Sequence, residues 1–236
     1  MRVTVVIPAL NEGGNIRRLV DDIPLTAAEQ VTVIVVDNGS TDGTATNARE
    51  AGALVVSEPR RGYGYACAAG VAATAPDCDV IVFMDGDGSF DPAELPRLLD
   101  PIRRGEADMT LGSRVAGGIQ PGAMPPHQLF GNRLVSRLMG LLYGLKITDL
   151  GPFRAVRADT LRSIAMKEMT FGWPTEMMVK LARRARIAEV PVSHRKRWSG
   201  VSKVSGTLRG TILATYFILG TTLRYVFWRD TRQNPR

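Results

Sequence analysis

Short runs of β-branched residues alternate with segments of helical pattern through the first half of the chain, and no other feature restricts the fold as tightly. Residues 3–7 (VTVVI), 31–36 (VTVIVV), 53–56 (ALVV), 80–84 (VIVFM) and 109–112 (MTLG) read as strands, each followed by turn residues. The stretches between them, 14–22, 42–51, 65–74 and 92–104, read as helices. Thr41 is placed to cap the second, and Pro92 suits a first turn after Asp91. A strand–helix alternation of this kind predicts an α/β fold, Rossmann-like, with a mostly parallel sheet flanked by helices on both faces. Such sheets bind ligands beyond the C-terminal ends of their strands. Asp37, Asp85 and Asp87 fall at such ends.

The pattern changes after residue 112. Residues 113–128 form a long Gly/Pro-rich loop, a length associated with function. Helices follow at about 129–144, 158–165 and 174–185, then a strand near 187–192, a basic loop SHRKRWSGVSK (193–203) and an apolar helix near 207–228. There is no internal repeat. The expected organisation is one catalytic domain over 1–205 and a basic, apolar segment over 206–236.

Composition excludes several classes. Hydrophobic residues make up 44% and charged residues 22%, which rules against disorder. Two cysteines, Cys67 and Cys78, provide neither a disulfide framework nor a cysteine metal site, and they fit a reducing, cytoplasmic setting. The first apolar run ends at Pro8 and Asn11-Glu12, too short for a secretory signal. The net charge of +7 is concentrated late: residues 183–236 hold twelve Lys or Arg against two acids, Glu189 and Asp230. That balance suits a membrane surface or phosphorylated ligands. Without a nucleic-acid motif or an aromatic stacking platform, nucleic acid is not an expected partner. The uncharged run of the last helix, residues 210–223, would be about 21 Å long as helix. Bilayer hydrocarbon is roughly 30 Å thick, so an amphipathic interfacial helix, or one docked on protein, is expected instead of a span.

The chemistry centres on VIVFMDGDGSF (80–90). Asp85 and Asp87, two apart, point the same way on extended chain, and two carboxylates suit Mg²⁺ or Mn²⁺ sharing substrate phosphates. An EF-hand loop is excluded, because Phe90 and Pro96 stand where it needs Gly and Glu. The absence of G-x-G-x-x-G after the first strand excludes a dinucleotide fingerprint. His127 and His194, far apart and without ligand spacing, read as structural or surface residues.

Six further motifs stand in order: VIPALNE (6–12), VVDNGSTDGT (35–44), RRGYGYA (60–66), GSR (112–114), TDLGPFR (148–154) and RWSGVSK (197–203). Together with the D-G-D stretch they resemble family-2 glycosyltransferases of GT-A fold, in the branch of dolichyl-phosphate mannose synthase and polyprenyl-phosphate glycosyltransferases. The resemblance spans about residues 3–205. It implies that Pro8, Ala9, Glu12, Asp37, Gly62 and Asp85 hold the nucleotide sugar and that Asp87 holds the metal, with Asp85 and Ser89 as its companions. Arg197 and Lys203 would belong to a flap over the diphosphate. Arg114, Arg133 and Arg137 would meet the acceptor phosphate; the last two, four apart, share a helix face. Asp149 would be a catalytic base or an acceptor-orienting carboxylate. Glu176, at a helix start, is a further acidic candidate.

The implied reaction is inverting transfer of a hexose from UDP-glucose or GDP-mannose to a polyprenyl phosphate, by a peripheral enzyme on the inner face of the membrane. A phosphate monoester, with a second pKa of about 6, is already ionised, so Asp149 would serve geometry more than proton removal. The alternatives are transfer to a soluble or glycolipid hydroxyl, and a catalytically silent nucleotide-binding scaffold. A homo-oligomer is compatible with any of these readings.

Overall fold

The computed structural model describes residues 1–202 and 208–226. Its strands are β1 (Arg2–Ala9), β2 (Gln30–Asp37), β3 (Leu54–Ser57), β4 (Val80–Phe83), β5 (Met109–Ser113), β6 (Arg154–Arg157) and β7 (Ile187–Pro191). The helices are α1 (Ile16–Asp21), α2 (Thr44–Glu50), α3 (Tyr63–Ala72), α4 (Leu95–Arg103), α5 (Arg114–Gly117), α6 (Pro126–Tyr143), α7 (Ala158–Ser163), α8 (Trp173–Leu181) and α9 (Leu208–Arg224).

The strands form one sheet in the order β3-β2-β1-β4-β6-β5-β7. All neighbours run parallel except β6, which is antiparallel to both β4 and β5. The expected α/β architecture with a mostly parallel sheet is therefore present. The Val/Ile runs explain its interior, because each central strand feeds two cores. Val5, Ile7, Val33 and Val35 pack with α1 and α4 on one face. Val6, Ile34, Val36, Ile81 and Phe83 pack with α3, α6 and α8 on the other. A strand buried on both faces needs apolar residues at successive positions, which is what the sequence supplies.

Some boundaries move for local reasons. The second helix starts at Thr44, not at 42; its N-cap is Gly43, not Thr41, and Asp42 just ahead of it accepts the Thr44 amide at 3.0 Å. Asp91 does cap the turn that Pro92 opens, accepting the Ala93 amide at 3.1 Å. β6 was not foreseen as a strand.

The last helix packs against both α6 and α8. Ala214, Thr221 and Thr222 are buried there, while Ile212, Leu213, Tyr216 and Leu223 face outward. Among the described residues no helix is long and apolar enough to cross a membrane.

Candidate active site

Three loops meet at one end of the sheet. β1 and β4 run parallel and leave it there, so the loops carrying Pro8 to Glu12 and Asp85 to Ser89 emerge side by side. β5 delivers Arg114 to the same end. Because β6 is reversed, the loop that enters it, with Asp149, arrives at this end as well.

A pocket of about 260 Å³ lies between the loops after β1 and β4, the start of α3 and the basic loop. Of the residues expected to hold the nucleotide sugar, Pro8, Ala9, Glu12, Gly62, Asp85, Asp87 and Arg197 line it. Asp37 does not; it pairs with Ala9 in the sheet register, and its Oδ1 accepts the Ser40 amide at 2.9 Å. Ser89 is buried outside the lining, its amide donating to Asp87 Oδ1 at 3.0 Å. Lys203 lies outside the described residues.

Acids crowd the pocket floor. Withdrawal from water and then the charge of Asp87 push the Asp85 carboxyl above the usual carboxylate range, with Glu12 adding to the effect and Arg114 and Arg154 opposing it. The basic loop balances this charge. Arg197 Nη2 donates to both Glu12 oxygens at 2.9 and 2.8 Å, and Nη1 stands 3.6 Å from Asp87. The loop is fastened to the D-G-D segment by its backbone: the Trp198 amide donates to the Asp87 carbonyl at 3.2 Å and the Arg195 amide to the Ser89 carbonyl at 2.9 Å.

The two glycines of the segment serve different ends. Gly86 lines the pocket, as a close approach of ligand requires. Gly88 has φ +73°, and a Cβ there would come within 2.3 Å of the Trp198 ring. It makes room for the tryptophan, not for a ligand.

His194, read from sequence as structural or a surface residue, is buried at the site. Bridges to Phe90 and Ile119 carry its loop inward. Burial and then the charge of Arg114 lower its pKa to about 4, against the pull of Asp87 and Asp149. Its ring is therefore neutral at neutral pH, and Nδ1 has no hydrogen-bond partner among the described residues.

Whether these residues suit a divalent cation follows from the donor set. Asp85 and Asp87 give two hard oxygens in an acid-rich pocket, and His194 offers an unsatisfied nitrogen nearby. Among the described residues no three His, Cys, Asp or Glu side chains already form a cation cage. The arrangement fits a metal that takes its remaining ligands from a diphosphate and water.

Arg114 and Asp149 are both buried and form a bidentate pair. Nε and Nη2 of Arg114 donate to the two Asp149 oxygens at 2.8 and 2.7 Å, and the Arg114 amide adds a third bond at 2.8 Å. Asp149 thus fixes the guanidinium, which is poor use of a general base. Two residues that sequence reasoning missed hold this loop. Glu189 accepts the amides of Thr148 and Asp149 at 2.9 and 3.0 Å, and Asn132 accepts the Leu150 amide at 3.0 Å. The only signal for Glu189 was an isolated acid in a basic stretch.

Arg114 also borders a second cavity of about 230 Å³, between α6 and α9. Leu134, Val135, Leu150, Ile218 and Leu219 make its wall apolar, with His127, Gln128 and Asn132 as polar lining. Arg133 and Arg137 are not in it. They line an open cleft with Val115, Ser136, Lys146 and Thr148.

Residues 4–164 match the family model described as Glycosyl transferase family 2. The chain is 39% identical over 216 residues to a Mycobacterium tuberculosis protein named as an uncharacterized glycosyltransferase, covering 90% of this chain and 94% of that one. It is 34% identical over 243 residues to undecaprenyl-phosphate mannosyltransferase of Micrococcus luteus, covering 95% and 96%. Among solved structures it is similar to glucosyl-3-phosphoglycerate synthase of Mycobacterium tuberculosis in complex with Mn²⁺, UDP and phosphoglyceric acid. That match has a TM-score of 0.76 at 26% identity and covers 98% of this chain and 80% of that one.

Proposed function

The chain belongs to glycosyl transferase family 2, and we propose from that premise that it transfers a hexose from a nucleotide sugar to a polyprenyl phosphate at a membrane surface. The observation that carries the reading is the placing of Arg114. It bears on Asp85 in the acid-lined pocket and borders the apolar groove between α6 and α9. A nucleotide sugar in the first and a lipid phosphate in the second would meet beside it.

Asp85 and Asp87, with His194 at hand, would hold Mg²⁺ or Mn²⁺. When bound, the cation neutralises charge on the departing diphosphate. Arg197 would close over the same diphosphate, exchanging its contacts with Glu12 and Asp87 for phosphate oxygens. Arg114, fixed by Asp149, would orient the acceptor phosphate, whose own ionised oxygen attacks the anomeric carbon and inverts it. Donor identity, UDP-glucose or GDP-mannose, belongs to this proposal.

The surface supports a lipid acceptor. Among the described residues, seven of the eleven large exposed apolar side chains lie on α6 (Phe130, Leu134, Leu141) and α9 (Ile212, Leu213, Tyr216, Leu223). Residues 109–148 and 190–229, which contain both helices, hold no Asp or Glu. Arg133 and Arg137 are exposed on α6 beside its apolar residues. An apolar, cationic face suits an anionic bilayer, with the enzyme peripheral on its inner side.

Incubation with Mg²⁺ or Mn²⁺, polyprenyl phosphate and a panel of labelled nucleotide sugars should give a labelled lipid extractable into organic solvent. Absence of such a product with every donor overturns the reading. A second reading, transfer to a small phosphorylated acceptor, is favoured by the similar synthase whose complex holds phosphoglyceric acid. A water-soluble product in the same assay would select it.

A further inference from the structure

The segment between α7 and α8 is gripped from two sides. Glu176 of α8 is fully buried, and its Oε2 accepts the amides of Lys167 at 2.8 Å and Glu168 at 2.7 Å. Its Oε1 accepts the Tyr225 hydroxyl and lies 2.7 Å from Lys180 Nζ, which also donates to the Ala165 carbonyl at 2.9 Å. Burial alone would raise the Glu176 carboxyl, but the bonds from Lys180, Tyr225 and the two amides outweigh it and hold the group ionised. Glu168 extends the grip: Oε1 accepts Thr170 Oγ1 at 2.6 Å, and Oε2 stands 3.5 Å from Thr221 Oγ1 and 3.7 Å from Arg224. Thr221 and Arg224 belong to α9, and Tyr225 is the residue after it.

The other side of the same segment touches the acid-lined pocket. The Met169 carbonyl accepts the Tyr65 amide at 3.2 Å. A Cβ at Gly62 would lie 2.6 Å from that carbonyl oxygen, and one at Gly64 would lie 2.5 Å from Met169 Cα. Backbone meets backbone there with no space for a side chain. Phe171, two residues on, lines the pocket with Gly62 and Tyr63.

We propose that Tyr225 and Glu176 are positioning residues for the donor site, seating residues 165–171 against the 62–64 turn so that nucleotide affinity depends on how α9 is docked. The inference rests on reading that pocket as the nucleotide-sugar site. It gives α9 two roles at different positions: Ala214, Thr215, Ile218 and Leu219 border the acceptor groove, and its last turn holds the wall of the donor pocket. Occupation of the groove and affinity for the nucleotide are then linked through one helix.

The test uses the full chain and Tyr225→Phe, which removes one oxygen and keeps the ring that Lys180 approaches at 5.4 Å. UDP and GDP binding is measured by calorimetry with Mn²⁺, steady-state kinetics are measured with both substrates, and amide exchange is followed by mass spectrometry. The expected result is nucleotide binding about three- to tenfold weaker. The donor KM should rise to match, with kcat and the acceptor KM unchanged, and exchange should be faster in 165–171 and 62–66. A lower melting temperature with unaltered donor KM and unaltered exchange at 62–66 overturns the proposal, since the network would then be structural only. Should Tyr225→Phe fail to fold, Arg224→Ala at the exposed edge of the network is measured in the same three ways, and the same two results support or overturn the proposal. A wild-type chain that binds neither nucleotide refutes the donor reading separately, and exchange at 62–66 then decides the coupling.

Discussion

The acid-lined pocket and the apolar groove that Arg114 borders are built on opposite principles. The pocket sits on strand ends, where short loops are pinned by backbone bonds across long sequence separations, as Trp198 is to Asp87 and Met169 to Tyr65. The groove lies between two helices and is walled by Leu, Val and Ile side chains with few polar groups. Strand ends hold charge at fixed points, which a departing diphosphate requires. A helix pair offers apolar surface without directional bonds, which suits a long hydrocarbon acceptor. On the proposed function, positional accuracy is concentrated where the bond would break and relaxed where a lipid chain would enter.

That contrast can be broken by changing one side and reading the other. The largest effect is expected for Asp87→Asn: kcat should fall by roughly 10²–10³, and Mn²⁺ should no longer strengthen nucleotide binding in calorimetry. Binding to anionic vesicles should be unchanged, and its loss would show that the two regions are not separable. Asp149→Asn acts at the junction. It should lower kcat about ten- to hundredfold and lower stability by about 3 kcal/mol in a thermal melt, because Arg114 is left buried without its partner. Above pH ~7 the shape of the pH profile should persist, and loss of a basic limb would make Asp149 a proton acceptor after all.

Phe130→Ser combined with Leu141→Ser touches only the apolar face. Vesicle partitioning by sedimentation should drop about tenfold, with UDP and GDP affinity intact. The smallest effect concerns Glu176. Its carboxyl is held below its usual value of 4.5, so its stabilisation is complete above that pH and is lost as pH falls through the folded value. The stability gap between wild type and Glu176→Gln should therefore narrow below pH 4.5, and a gap that widens there would contradict the ionised network.

The pocket was largely legible in the sequence because its residues sit in short contiguous motifs at strand ends, where chain direction alone decides where they point. Pro8, Glu12, Asp85 and Asp87 share one cavity for that reason, and Arg197 joins them on a loop pinned to the D-G-D segment. The groove was less legible. The spacing of Arg133 and Arg137 gives a common helix face but not which neighbour that face meets, and they line a cleft with Val115 and Thr148 instead of the groove that Arg114 borders. His194 and Asn132 carry no local signal and Glu189 only that of an isolated acid in a basic stretch, since their partners are brought to them by sheet order and loop contacts. β6 escaped notice because RAVR places a buried arginine in a four-residue strand. Arg154 is only 1% exposed, and its guanidinium bonds the carbonyls of Pro174 and Gly151. A strand containing a fully buried cation defeats any hydropathy pattern.

The reversed strand also has a consequence in time. Among the described residues β4 and β5 do not pair with each other, and β6 is the only strand joining the β3-β2-β1-β4 portion to the β5-β7 portion. Residues 1–83 can assemble four parallel strands as they leave the ribosome, but the sheet stays in two pieces until residues 154–157 are inserted between strands made well before them. Such a late, long-range closure is slow by the loop entropy it must overcome. The insertion that delivers Asp149 to Arg114 therefore also precedes completion of the acid-lined pocket, which takes Phe171 and Arg197 from chain made after β6.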